Sequence, residues 1–165
     1  MVVCFVGHRK ISADEHFVSC MKECISRLVS YGKADTFLFG SRSEFDALCL
    51  KIVTELKRDY PHIKRIYVRA AYPDIDDNYE KYLLTLYDET YIPETTKNAG
   101  KASYIKRNRH MIDRADLCVF YYDPNYKPVK RSLLSGKSYG NSGTMLAYRY
   151  AKSRNKEILN MFTIV

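Results

Sequence analysis

The amino-acid sequence predicts an α/β domain of three layers, with helices on both faces of a mostly parallel sheet of five to six strands. Three observations carry this. Short apolar runs alternate from end to end with segments of helical period, the order of elements that builds parallel strands joined by crossover helices. The runs are rich in β-branched and aromatic residues and close on glycine or Asp-Pro, as strands buried on both faces do. Neither an internal repeat nor a Gly/Pro-rich linker divides the 165 residues, so one domain over 1–165 with a single core is expected.

Val2 to Val6, ending at Gly7, reads as the first strand. From Asp14 to Tyr31, Phe17, Met21, Cys24, Ile25 and Leu28 recur at helical spacing and stop before Gly32. Thr36 to Phe39, closed by Gly40, supplies the second strand. Ser43 then caps a helix whose apolar face is Phe45, Leu48, Cys49, Ile52, Val53 and Leu56, broken before Pro61. Lys64 to Ala70 reads as the third strand, Asn78 to Tyr87 as a helix and Glu89 to Ile92 as a short strand. Lys101 to Arg114 reads as a helix with Tyr104, Ile105, Met111 and Ile112 on its apolar face. Leu117 to Tyr122 is the clearest strand and ends at Asp123-Pro124. Asp123 to Gly140 shows no period and is read as a mobile loop. A helix from Ser142 to Arg154 and a strand from Lys156 to Phe162 complete the chain.

Lysine and arginine exceed aspartate and glutamate by 27 − 19 = +8, which favours an anionic partner. Lys97, Lys101, Lys106, Arg107, Arg109 and Arg114, followed by Lys127, Lys130, Arg131 and Lys137, concentrate the excess in the second half. Such a half faces a phosphate ligand, nucleic acid or simply solvent. No apolar run approaches the roughly 20 residues of a membrane span, and the amino terminus lacks the form of a signal peptide. A soluble cytoplasmic protein with no membrane partner is expected. The five cysteines, Cys4, Cys20, Cys24, Cys49 and Cys118, form no CxxC pair. Cys20 and Cys24 could share a helix face, but no Cys/His cluster completes a zinc site, so buried thiols are expected and no metal or cofactor.

In an open parallel sheet, ligands bind beyond the carboxyl ends of the strands, where the following helices point their amino termini. Those positions here are Gly7-His8-Arg9, Gly40-Ser41-Arg42-Ser43-Glu44 and Gly140-Asn141-Ser142-Gly143-Thr144. Gly7 and Gly40 allow close backbone approach, and Ser41, Ser142 and Thr144 put hydroxyls beside helix starts, although the same residue types also serve chain geometry and capping. Arg9 and Arg42 follow equivalent turns and could grip one anion through bidentate hydrogen bonds, or pair with Glu44 or Asp46. His8 is placed to cap a turn or to act as acid or base. Glu44 or Asp46 is placed to bind ribose hydroxyls or polarise a water. Ser135-Gly136-Lys137-Ser138 imitates the end of a P-loop, but Arg131 stands where that motif has its first glycine. The dinucleotide fingerprint GxGxxG is absent after the first strand.

Val6-Gly7-His8-Arg9, Phe39-Gly40-Ser41 with Phe45-Asp46, Arg107-Asn108 with Met111-Ile112-Asp113, and Ser142-Gly143-Thr144 with Tyr150-Ala151 and Lys156 together form a pattern. In order and spacing it resembles the SLOG superfamily, especially its YpsA-like branch of stand-alone proteins, and the likeness spans nearly the whole chain. It implies a Rossmann-like domain that binds nucleotides or nucleotide-derived signals, and it adds Arg107 and Asn108 to the ligand candidates. The lonely-guy enzymes of this superfamily hydrolyse nucleoside monophosphates at the N-glycosidic bond and carry a Gly-Thr-x-x-Glu turn. Here Gly143-Thr144-Met145-Leu146 is followed by Ala147, so that activity would need Glu44, Asp46 or Asp123 to replace the missing carboxylate.

The expected function is binding of a ligand that contains phosphate and ribose, ADP-ribose-like or a mononucleotide. Its phosphate would rest on the Gly40-Ser41 and Ser142-Gly143-Thr144 turns, Arg9 or Arg42 would neutralise it, and Asp46 or Glu44 would hold ribose. A tyrosine between Asp123 and Gly140 would stack on the base. An N-glycosidic hydrolase and a basic nucleic-acid-binding module are the alternatives. The tyrosine-rich stretch from Tyr72 to Tyr91 suits either a core edge or contact with a second copy, which leaves a homodimer or larger homo-oligomer open.

Overall fold

The computed structural model describes residues 1–71, 77–126, 129–132, 136–139 and 142–163, with 129–132 and 136–139 given by their backbone. Tyr72, Lys127, Ser135, Gly140 and Asn141, singled out above, lie outside the described residues. In chain order the elements are β1 (Val2–Gly7), α1 (Glu15–Ser30), β2 (Thr36–Phe39), α2 (Glu44–Leu56), β3 (Lys64–Val68), α3 (Asp77–Leu86) and β4 (Glu89–Tyr91). They continue with α4 (Ser103–Arg114), β5 (Leu117–Tyr121), β6 (Val129–Ser132), β7 (Gly136–Tyr139), α5 (Gly143–Ser153) and β8 (Glu157–Asn160). Six strands form one sheet in the order β4-β3-β2-β1-β5-β8, and every neighbouring pair in it is parallel. This is the expected Rossmann-like α/β fold.

Strand alternation explains the layers. In β1, Val3 and Phe5 join the core under α1 and α2, while Cys4 and Val6 join the core under α4 and α5. A stretch that is apolar at every position is therefore what a strand covered on both sides requires. On the first face Phe5 lies against Phe37 and Phe39, with ring centroids 5.9 and 5.2 Å away, and Phe17, Met21 and Ile25 of α1 close over them. On the second face Leu38, Val68, Cys118 and Phe120 meet Met111 and Ile112 of α4 and Ala147 and Ala151 of α5. Truncating Phe5 to alanine would cost about 3–5 kcal/mol by leaving a cavity.

The chain runs outward from β1 to β4, then returns to the other side of β1 with β5. Strand order thus reverses between β1 and β5, and the crevice of such a fold opens at the carboxyl ends of those two strands.

The structure departs from the expected elements in three places. The stretch expected to lack regular structure after Asp123 contains the antiparallel hairpin β6–β7, in which Val129 pairs with Tyr139 and Ser132 with Gly136. The strands have four residues each, too short for a periodic signal to stand out. Gly136 to Ser138 belong to β7, so the P-loop-like sequence does not open a helix. The last strand ends at Asn160, and Met161–Thr163 form a 3₁₀ turn. On α4 the buried line is Ser103, Arg107, Met111 and Ile112, while Tyr104 is 46% exposed; an arginine occupies the position where an apolar residue was expected. No helix among the described residues is long and apolar enough to cross a membrane.

Candidate functional site

The carboxyl edge begins at His8, the first residue after β1. Its backbone N–H continues the pairing to Tyr121 O at 3.3 Å, which turns the imidazole toward the end of β5. The ring is 2% exposed, and Nε2 accepts the Asp123 N–H at 3.0 Å. A nitrogen that accepts carries no proton, so the proton of the neutral ring resides on Nδ1, which is buried without a hydrogen-bond partner among the described residues. Burial lowers the pKa of His8 because it penalises the imidazolium. Tyr126 stacks on the ring at 4.0 Å between centroids. The Asp123 carboxylate is engaged locally, Oδ1 accepting the Asn125 N–H at 2.7 Å.

The turn after β2 is organised by Asp46, 2% exposed in the first turn of α2. Oδ2 accepts the N–H groups of Gly40 at 3.2 Å and Ser41 at 2.9 Å, and Oδ1 accepts the Ser43 hydroxyl at 2.9 Å. Ser43 Oγ in turn accepts the Asp46 N–H at 3.0 Å as the helix cap and the Ser41 hydroxyl at 2.9 Å. Burial raises the Asp46 pKa, against the opposing pull of the Ser41 and Gly40 amides, the Ser43 hydroxyl and the Arg107 charge. The Gly40 and Ser41 amides, read from sequence as a phosphate cradle, are thus already bonded to Asp46. Glu44 pairs with Lys10 and accepts the Ile11 N–H at 3.1 Å, while its own N–H meets Arg9 O at 3.0 Å. It clamps the β1 turn onto the start of α2.

The two strand-end glycines have a packing reason. A Cβ on Gly7 would lie 2.4 Å from the Phe45 ring, and one on Gly40 would lie 2.6 Å from Met111 Sδ and 2.7 Å from Arg107 Cδ. Their close approach is to α2 and to α4.

Arg107 is 4% exposed. Its Nε donates to Asn108 Oδ1 at 2.8 Å and Nη1 to the Val68 carbonyl at 3.4 Å, which places the guanidinium at the end of β3. Burial lowers its pKa, against the opposing influence of Tyr67 and Asp46. No carboxylate among the described residues comes within ion-pair distance. Arg42 leans on α3, its Nε donating to Tyr79 Oη at 3.2 Å and its guanidinium 4.6 Å from the Tyr79 ring centroid. That hydroxyl also lies 3.5 Å from Tyr67 Oη. Arg9 is exposed, its carbonyl holding the Glu44 N–H at the start of α2.

At α5, Ser142 caps the helix by accepting the Met145 N–H at 3.0 Å. Thr144 and Ala147 are buried, and the space around Gly143 is open, with nothing described within 4 Å of an added Cβ.

Reasoning from sequence missed Arg69. It follows β3 with no glycine turn to mark it, yet it is 7% exposed, with Nη1 on Glu80 at 2.9 Å. A charged residue directly after an apolar strand was the one signal available. A separate hollow of about 480 Å³ lies on the opposite edge, among Thr36, Lys64, Glu89 and Arg114. Lys64 pairs with Glu89 at 2.8 Å there, and Arg114 donates to the Tyr91 hydroxyl at 2.8 Å.

No curated protein matches the chain. A family model, that of the YspA SLOG family, matches residues 9–145. That span runs from the β1 turn through the Asp46 turn and Arg107 to the start of α5, and it is well over half of the sequence. The chain belongs to the YspA SLOG family.

Proposed function

We propose that the protein binds a nucleotide-type ligand, containing phosphate and ribose, at the carboxyl edge of its sheet. The observation that carries this reading is Arg107, a buried guanidinium with no carboxylate in ion-pair reach among the described residues. Asp46 offsets part of that charge from beyond ion-pair distance, a buried charge without a direct partner is costly, and an incoming phosphate would supply that partner. Membership of a SLOG family is consistent with such a ligand.

In this reading the phosphate meets side chains rather than the Gly40-Ser41 amides, which Asp46 already holds. Ribose and base extend toward the switch point, where His8 Nδ1–H is a donor with no partner among the described residues and Tyr126 offers a ring. Ser142, Gly143 and Thr144 border the same edge at the start of α5. Arg9 and Arg42 flank the α2 start and screen the ligand charge.

Binding is favoured over N-glycosidic hydrolysis because Glu44, Asp46 and Asp123 all have their carboxylates engaged in holding turns. Binding of nucleic acid is less favoured because part of the basic run is tied down. Arg109 lies over Tyr150, Arg114 over Tyr91, and Lys97 pairs with Glu94. A thermal-shift panel of AMP, ADP and ADP-ribose tests the reading: a ligand that binds only the folded state raises Tm by mass action, and a flat panel would contradict it.

A further inference from the structure

Two buried side-chain polar atoms lack a hydrogen-bond partner among the described residues, His8 Nδ1 and Arg69 Nε. Both belong to residues at the carboxyl edge, one just after β1 and one just after β3. Buried polar groups in folded proteins are almost always paired, so two orphans on one edge leave donors there for a partner beyond the described residues.

Arg69 and Arg107 approach the end of β3 from opposite sides. Arg107 Nη1 reaches the Val68 carbonyl, which belongs to the peptide that joins Val68 to Arg69. The Arg69 N–H of the same peptide points away, to Tyr91 O at 2.8 Å. Arg107 comes from α4, whereas the Arg69 side chain turns to α3, where Nη1 meets Glu80 Oε2 and Nε is left over. Glu80 is the single carboxylate that pairs with either guanidinium among the described residues.

We propose that Arg69 and Arg107 form a two-arginine subsite for a phosphate dianion over the end of β3, with Arg69 donating through Nε. The proposal rests on the nucleotide reading and adds a residue and a direction to it. Two guanidiniums suit a group with two negative charges and several acceptor oxygens. β3 stands two strands from β1, about 10 Å away at the usual strand spacing. A ligand anchored at Arg69 that also satisfies His8 is therefore as long as a nucleotide, phosphate over β3 and base toward β1.

Calorimetric titration of inorganic phosphate and of AMP into the wild-type protein and into Arg69→Gln, Arg69→Lys and Glu80→Gln tests this. AMP is expected to bind the wild type more tightly than inorganic phosphate. Arg69→Gln should weaken AMP about ten- to a hundredfold, the range for a lost charge-assisted hydrogen bond. Arg69→Lys should fall between, and Glu80→Gln should bind AMP at least as tightly as wild type. AMP affinity unchanged in Arg69→Gln or in Arg69→Lys overturns the subsite, as does a Glu80→Gln loss equal to that of Arg69→Gln, which would make the ion pair purely structural. If Arg69→Gln does not fold, the Arg69→Lys titration decides. A wild-type protein that binds neither compound overturns the nucleotide reading and the subsite together, whereas an insensitive Arg69 overturns the subsite alone.

Discussion

His8 Nε2 accepts the amide N–H of Asp123 at 3.0 Å, so the turn after β1 and the turn after β5 are held to each other across the switch point. The bond exists only while the imidazole is neutral, and burial lowers its pKa. The native state therefore binds fewer protons than the unfolded chain just below the ordinary histidine value. Stability from this group is present above about pH 6.5 and is lost as pH falls through the lower folded value. His110, also lowered by burial, adds a loss of the same sign. The groups that face His8 are Tyr121, Tyr122, Tyr126 and Asp123. Urea midpoints should drop between about pH 7.5 and about pH 5.5, and His8→Gln should flatten part of that drop. Equal drops in the variant and the wild type would refute the assignment.

Glycine at the carboxyl edge does different work at different turns. Gly7→Ala forces a methyl group into the Phe45 ring at 2.4 Å and should cost about 1–3 kcal/mol by overpacking. Gly143→Ala meets nothing described within 4 Å and, lying in α5, should be neutral or stabilise by about 0.5 kcal/mol. Denaturant unfolding of both variants measures this; a harmless Gly7→Ala would mean that the β1 end does not sit against α2 as described.

Asp46 and Ser43 form one unit, since each accepts a hydrogen bond from the other. Asp46→Asn should cost about 1–3 kcal/mol because an NH2 replaces one acceptor oxygen, so that either the Ser43 hydroxyl or the Gly40 and Ser41 amides, which share Oδ2, lose their acceptor, and Ser43→Ala about 1 kcal/mol for the cap. The double variant should lose less than the sum, as contacting residues do. Strict additivity in unfolding free energy would argue against a shared network.

The fold was legible because strands buried on both faces must be apolar throughout, and Phe37 to Phe39 or Leu117 to Tyr121 advertise that in any reading. The Ser43 and Ser142 caps were legible for the same local reason. The site was harder to read. The sequence offers Gly40 and Ser41 as donors to a ligand, and only tertiary structure reveals that Asp46 takes their amides. Arg107 looked like one charge in a basic run, yet it lies on the buried line of α4. Arg69 carried no motif, because its burial arises from α3 folding over the end of β3.

The most direct test is calorimetric titration of AMP and ADP-ribose into the wild type and Arg107→Gln, with the Tm of each unliganded protein. The account predicts that the wild type binds at least one of them and that Arg107→Gln binds it about tenfold or more weakly. It also predicts that the unliganded variant melts no lower than the wild type, because it sheds a buried charge that has no carboxylate within ion-pair distance among the described residues. A folded Arg107→Gln that binds as tightly as the wild type, or a wild type that binds neither compound, would contradict it.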